Sequence, residues 1–209
     1  MSAKIDFKKS LDAYAARKGQ FRLLDVPEMQ YLMVEGKGEP GTSSSYREAL
    51  AALYPVAYTL KFMSKVDLGR DYVVPPLEGL WWADDMTVFT SRRDKSQWLW
   101  NLMIMTPDWI GPEMTASAVG TVRAKSAPVG LDRVRLETLD EGTCVQTLHV
   151  GPFDEEGPVL AQLHDEFIPS QGLALTGRHH EIYLSDIRKA APEKWRTILR
   201  QPVRAASAR

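Results

Sequence analysis

Cysteine occurs once in this chain, at Cys144, which excludes an intrachain disulfide and most thiolate metal sites. Charge of one sign is also lacking. The formal net charge is −1, so nothing electrostatic points to nucleic acid or an anionic membrane as a partner. No apolar run reaches membrane-spanning length, and the N-terminus lacks the apolar core of a signal peptide. Cytoplasmic residence is the expectation. Histidine is scarce, with four residues and no second group of ligands beside any of them, so no metal is expected. A G-x-S-x-G nucleophile elbow is absent, which leaves esterase chemistry without local support. No cofactor is expected.

The rest of the composition is that of a globular protein, with 44% hydrophobic and 25% charged residues. At 209 residues the chain can bury one substantial domain or two small ones sharing a core. Phe7, Leu11 and Tyr14 fall at helical spacing and predict a helix over 4–18, stopped by Gly19. A first unit then reads as strands 21–26 and 29–36, a Gly/Ser loop, helix 45–63 capped by Ser43–Ser45, and strands 71–82 and 86–92. An aromatic insert, 96–118, holds a strand with Trp98, Trp100, Leu102 and Ile104 on one face, then a turn at Thr106–Asp108 and a short helix, 108–118. A second unit starts at 119–126 or 132–139 and continues with strand 143–150, helix 155–168 and strand 178–186. One helical turn follows at Pro192–Lys194, and the basic, small-residue tail 201–209 is expected to be disordered. The predicted architecture is a single α+β domain over 1–209, built from two pseudo-repeated strand–helix–strand–strand modules, about 20–95 and 119–200.

Two segments carry the chemistry. Pro75-Pro-Leu-Glu-Gly-Leu-Trp-Trp82 and His179-His-Glu-Ile-Tyr-Leu-Ser-Asp186 each set a carboxylate in an apolar, aromatic run. On strands, residues two apart share a face, which groups Glu78 with Leu80 and Trp82, and Glu181 with His179 and Tyr183. A carboxylate beside rings is costly to bury without a partner and well suited to a ligand pocket. Two such segments facing each other would form one cleft. Trp82 is preferred over Trp81 as a ligand contact because it shares a face with Glu78. Trp100, Met103 and Trp109 are further candidates, since thioethers and rings fit planar ligands, with Trp109 as a lid after the turn. The competing explanation is structural: Glu181 on an exposed strand paired to Arg178 or Arg188, and the aromatic residues as plain core.

Two apparent motifs carry nothing. Gly36-Lys-Gly-Glu-Pro-Gly41 matches G-x-G-x-x-G, but Glu39 would repel a pyrophosphate and Pro40 removes a backbone donor. The corresponding loop of the second unit, Gly151–Gly157, carries Asp154, Glu155 and Glu156. His164-Asp-Glu166 has the His-x-Glu of a zinc deaminase without its Pro-Cys-x-x-Cys.

Leu-Glu-Gly-Leu-Trp-Trp, Met-Thr-Pro-Asp-Trp, His-Val-Gly-Pro-Phe and His-Glu-Ile-Tyr-Leu-Ser-Asp, followed by Arg200-Gln-Pro-Val203, together resemble the GyrI-like small-molecule-binding proteins over about 20–200. The resemblance implies a duplicated fold with a ligand cleft between its halves. The aromatic insert resembles the cyclopropanoid cyclopropyl hydrolase subgroup, which detoxifies DNA-alkylating natural products of the duocarmycin type. Trp81, Trp82, Trp98, Trp100 and Trp109 exceed what the drug-sensing regulators of the family need. On this basis Glu181 would be the general base that deprotonates a water, and Tyr183 the donor to a carbonyl gaining negative charge. Glu78, Trp82, Trp100, Met103, Trp109 and His179 would contact a planar, largely apolar ligand. The alternative is a non-catalytic module that sequesters or senses flat or cationic compounds, and a third is protein interaction of the gyrase-inhibitor kind. Monomer and homodimer both fit.

Overall fold

The computed structural model describes residues 4–85 and 94–206; the strand expected over 86–92 lies outside the described residues. In chain order the described strands are β1 (Arg22–Val26), β2 (Met29–Lys37), β3 (Leu77–Trp82), β4 (Leu99–Thr106), β5 (Arg135–Leu139), β6 (Gly142–Val150), β7 (Leu173–Leu175), β8 (His179–Tyr183) and β9 (Arg196–Ala205). The helices are α1 (Phe7–Ser10), α2 (Ser44–Asp67), α3 (Pro112–Lys125), α4 (Gly157–Ala161) and α5 (Ile168–Ser170), with a π-helical stretch, Gln162–Phe167, joining the last two. The chain divides into two compact units. Unit 1 holds the residues up to Leu11 and Met29–Leu139, and unit 2 holds Asp12–Glu28 and the residues from Asp140 onward.

Unit 1 is an antiparallel sheet in the order β3-β4-β2-β5. The long helix α2 buries Ala49, Ala52, Leu53, Val56, Ala57, Leu60 and Ser64, a stripe at three- and four-residue spacing that defines its inner face. Pro55 interrupts the helix's donors, and the Thr59 hydroxyl donates to the Pro55 carbonyl at 2.8 Å. Trp100 of β4 packs edge-on against Tyr46 of α2 at 5.4 Å and marks the helix-covered face. Gly36 makes room for it, because a Cβ there would lie 2.1 Å from the Trp100 ring. Ser43 precedes α2 but does not cap it through its side chain; its hydroxyl donates to the Lys37 carbonyl instead.

Unit 2 is an antiparallel sheet in the order β8-β9-β6-β1, with β7 paired to the far end of β9. Val145 of β6 and Val203 of β9 form an apolar cluster with Leu163 and Ile168, backed by Phe21, Phe167 and Leu173. That cluster fixes which face the helical run 157–170 covers. The fold is α+β, and both units contain strand–helix–strand–strand modules: β2-α2-β3-β4 in one, and β6, the helical run, β8 and β9 in the other.

Further expectations change. The short helix expected over 108–118 is α3, Pro112–Lys125, which takes up the stretch 119–126 offered as a strand. β1 pairs with β6 and β5 with β2, so residues 12–28 belong to unit 2 although they precede the first module in the chain. The helix expected over 4–18 shrinks to α1 and a 3₁₀ turn at Asp12–Tyr14, because this stretch gives its backbone to tertiary partners. Ile5 bridges to Tyr72, and the carbonyls of Ala13 and Ala15 accept bonds from Gln146. Finally, residues 201–205 are not a disordered tail. They complete β9, held between β6 and β7 by ladder bonds.

Candidate functional site

β8 carries the centre of the site. Alternation places His179, Glu181 and Tyr183 on one face and the buried His180 and Ile182 on the other. Glu181 lies opposite Leu199 and Tyr183 opposite Thr197, while Thr147 and His149 of β6 sit across β9 from them. These odd-numbered residues share the face of Val145 and Val203, so Glu181 lies under the helical run of unit 2. It is not an exposed strand carboxylate: its side chain is 15% exposed, and its neighbour His179 11%.

The Tyr183 hydroxyl donates to Glu181 Oε2 at 2.7 Å, and His179 Nε2 stands 3.7 Å from Oε1. Burial pushes the Glu181 carboxyl upward toward neutrality, against the lowering effects of the Tyr183 bond and the His180 charge. Burial holds His179 neutral, with its pKa depressed to about 3 and nearby His164 and His180 adding to the effect. Neither ring nitrogen of His179 has a hydrogen-bond partner. His164 meets it edge-on at 5.6 Å, brought inward by the π-helical stretch.

A second carboxyl, missed by sequence reasoning, completes the polar set. Glu156, at the start of α4, is 5% exposed, and its Oε1 is buried without a partner. Burial raises its pKa well above the carboxylate range, and the Glu181 charge raises it further. The nearby Thr197 hydroxyl opposes this but makes no hydrogen bond of good geometry. In sequence Glu156 looked like one more acid in a solvated loop; only the entry of the chain into α4 turns it inward. Thr147 Oγ1, Thr197 Oγ1 and His164 Nε2 are likewise buried and unpartnered. Buried polar atoms in that number call for ordered water or a polar ligand. Chemically, the face brings together two buried carboxyls, a phenol hydroxyl and two imidazoles.

The opposite face of unit 2 carries a buried ion-pair network around Arg200 and Glu141. Arg200 donates to Glu141 Oε2 at 2.7 Å, to Gln146 Oε1 at 3.0 Å and to the Ala13 carbonyl at 2.5 Å. His180 Nδ1 meets Glu141 Oε1 at 3.0 Å. Burial alone would raise the Glu141 carboxyl, but His180 and Arg200 overrule it and hold it down at about 2.

In unit 1 the expected ligand residues separate. Glu78 is fully buried and accepts a bond from the Tyr31 hydroxyl at 3.4 Å. It lies opposite Met103, and both share with half-buried Trp82 the face away from Trp100 and α2. Glu78 and Glu181 therefore occupy inequivalent places, one on the face of its sheet away from α2 and one on the face that the helical run of unit 2 covers. Trp100 is fully buried on the helix side, its indole donating to the Gly38 carbonyl at 3.1 Å. Trp81, opposite Trp100, packs edge-on with Trp98 at 5.8 Å. Trp109 donates to Ser64 Oγ at 2.9 Å and packs against Phe7 and Tyr72 with Arg70 over its ring, which makes it a fastening for the N-terminal segment. Among the described residues no group of three or more His, Cys, Asp or Glu could hold a metal, and no helix is long and apolar enough to cross a membrane.

An uncharacterized conserved protein from Listeria innocua is 44% identical, with 96% of this chain and 100% of that one covered and a TM-score of 0.88. A hydrolase from Listeria innocua is also 44% identical over 96% of this chain and 100% of its own, with a TM-score of 0.83. The C-terminal domain of EcmrR, at 15% identity and a TM-score of 0.55 over 90% of this chain and 98% of that one, shares the fold alone. No curated protein matches the chain. The model of the GyrI-like small molecule binding domain matches residues 19–204, and the chain belongs to that family.

Proposed function

We propose that this protein is a hydrolase that adds water to the cyclopropane of a planar, largely apolar, DNA-alkylating compound of the duocarmycin type. The observation that carries the proposal is Glu181, a shielded carboxylate raised toward neutrality and oriented by the Tyr183 hydroxyl at 2.7 Å. A general base works best when its pKa lies near the operating pH. Kinship with a Listeria innocua hydrolase at 44% identity supports hydrolysis. The substrate class comes from the subgroup resemblance of the aromatic insert.

Glu181 takes a proton from a water whose oxygen attacks the ring methylene. The strained carbon–carbon bond breaks, and its electron pair moves through the conjugated ring to the carbonyl oxygen, which becomes a phenolate. Tyr183 donates to Glu181 at rest. Once Glu181 is protonated its demand for that bond falls, and the hydroxyl is free to donate to the new oxyanion. Neutral His179 lines the same strand face as a ligand contact. All of this chemistry rests on residues of unit 2.

The test is turnover of a duocarmycin-type cyclopropane compound by the purified protein, followed by chromatography against a buffer control. Loss of the cyclopropane with wild type and not with folded E181Q is expected. Equal turnover by E181Q would remove Glu181 as the base. Tryptophan quenching by the compound with no product would make the protein a binding module instead.

A further inference from the structure

We infer that Glu156 is the proton-holding partner of Glu181: the two buried carboxyls carry one negative charge between them, and Glu156 keeps its proton while Glu181 ionises. Glu156 then acts as a positioning residue for the base. The inference rests on the reading of Glu181 as that base and adds a residue that sequence reasoning did not select.

The geometry supplies the reasons. Glu181 lies on the face of the unit 2 sheet that the helical run covers, and Glu156 stands at the start of that run, 5% exposed. Among the described residues no lysine or arginine forms an ion pair with either carboxyl. The other titratable groups facing them, His180 apart, offer no compensating cation. His179 on β8 and His164 on the π-helical stretch are both shifted down by burial and neutral. Asp154, three residues before α4, adds a negative charge, and His149 on β6 gives its Nε2 to the Pro152 carbonyl at 3.1 Å. His180 contributes a favourable charge to Glu181 from the far face of β8, where Glu141 already engages it at 3.0 Å. Two carboxylates sharing such a site cannot both ionise near neutrality.

Hydrogen bonding decides which one does. The Tyr183 hydroxyl at 2.7 Å stabilises the Glu181 anion, whereas Glu156 Oε1 has no donor at all. A buried anion with one oxygen left without a donor is the costlier one, even with Thr197 opposing, so the proton resides on Glu156. The upward shift of Glu156, larger than that of Glu181, has the same physical origin. A protonated Glu156 leaves Glu181 free to ionise without a like charge beside it. Ionisation of Glu156 at alkaline pH would place a second negative charge where the reaction develops its own.

Infrared spectroscopy of the intact protein tests this without any substrate, so its failure is distinct from failure of the hydrolase reading. Wild type is expected to show a protonated carboxylic acid band at pH 8, absent from E156Q. In E181Q the band should persist and titrate away at lower pH than in wild type, because the repelling charge is gone. E181Q leaves Glu156 in place, so this second arm stands even where E156Q fails to fold. On a turned-over cyclopropane substrate, the fall in rate at alkaline pH should be weaker in E156Q than in wild type, a change that a purely structural role would not produce. No band at pH 8 in wild type, or a band that survives E156Q and vanishes in E181Q, would overturn the assignment.

Discussion

Replacing Arg200 with Met keeps much of the side-chain bulk but removes the guanidinium from three buried acceptors. Arg200 is fully buried and donates to Glu141, Gln146 and the Ala13 carbonyl. The Glu141 side chain is only 2% exposed, so R200M leaves its charge with His180 as the remaining partner. Removing one partner of a buried ion pair costs about 3–5 kcal/mol. For a chain of this size each kcal/mol moves the melting temperature by about 2–4 °C, so the midpoint should fall by roughly 10 °C. The pH dependence gives an independent magnitude. The Glu141 pKa drops from 4.5 to about 2, and a shift of that size corresponds to about 3 kcal/mol. Because the folded-state pKa is depressed, this stability is present above the ordinary Glu range and is lost as pH falls through it toward about 2. Thermal denaturation of wild type and R200M from pH 7 down to pH 3 reads both effects. The melting-temperature gap should be widest near neutrality and narrow on acidification. A gap below about 2 °C at pH 7, or one that does not change with pH, would refute the claim that this network fastens the residues around Ala13 to the sheet of unit 2.

Y183F should move the acidic limb of the rate profile upward by about 1–2 pH units, because a hydrogen bond to a charged group is worth about 1.5–3 kcal/mol; an unmoved limb would separate Tyr183 from the base. G36A should destabilise unit 1 by about 1–3 kcal/mol in chemical denaturation, since its Cβ meets the buried Trp100 ring, and a neutral result would mean that this ring is loosely held. W109F should cost about 1 kcal/mol through the lost Ser64 bond while leaving turnover of the cyclopropane compound unchanged. Loss of turnover at full stability would make Trp109 a ligand contact.

Much of the fold was legible because its patterns are local. The stripe on α2, the alternation in β8 and the apolar runs of β2, β4 and β6 show directly in the sequence. β9 was hidden for a physical reason. Arg196-Thr-Ile-Leu-Arg-Gln-Pro-Val203 places a charge, an amide and a proline where a central strand usually has none. Arg200 is tolerated because Glu141 and Gln146 neutralise and cap it, and Pro202 lies beyond the stretch paired with β8. The exchange of β1 and β5 was invisible because chain neighbours usually pair, and nothing in the turns at 26–29 or 139–142 signals otherwise. In the site, the alternation grouped His179, Glu181 and Tyr183 correctly on one face. Glu156 could not be found that way, since its direction is set by the loop and helix start that carry it, not by a repeat.

The most direct measurement is the product mass after incubating a duocarmycin-type cyclopropane compound with the protein in ¹⁸O-labelled water. One labelled oxygen on the former ring methylene, formed faster than in buffer and lost in E181Q, is the predicted result. Unlabelled product, or labelling at the same rate with E181Q, would contradict the assignment of this face as a Glu181-driven hydrolytic site.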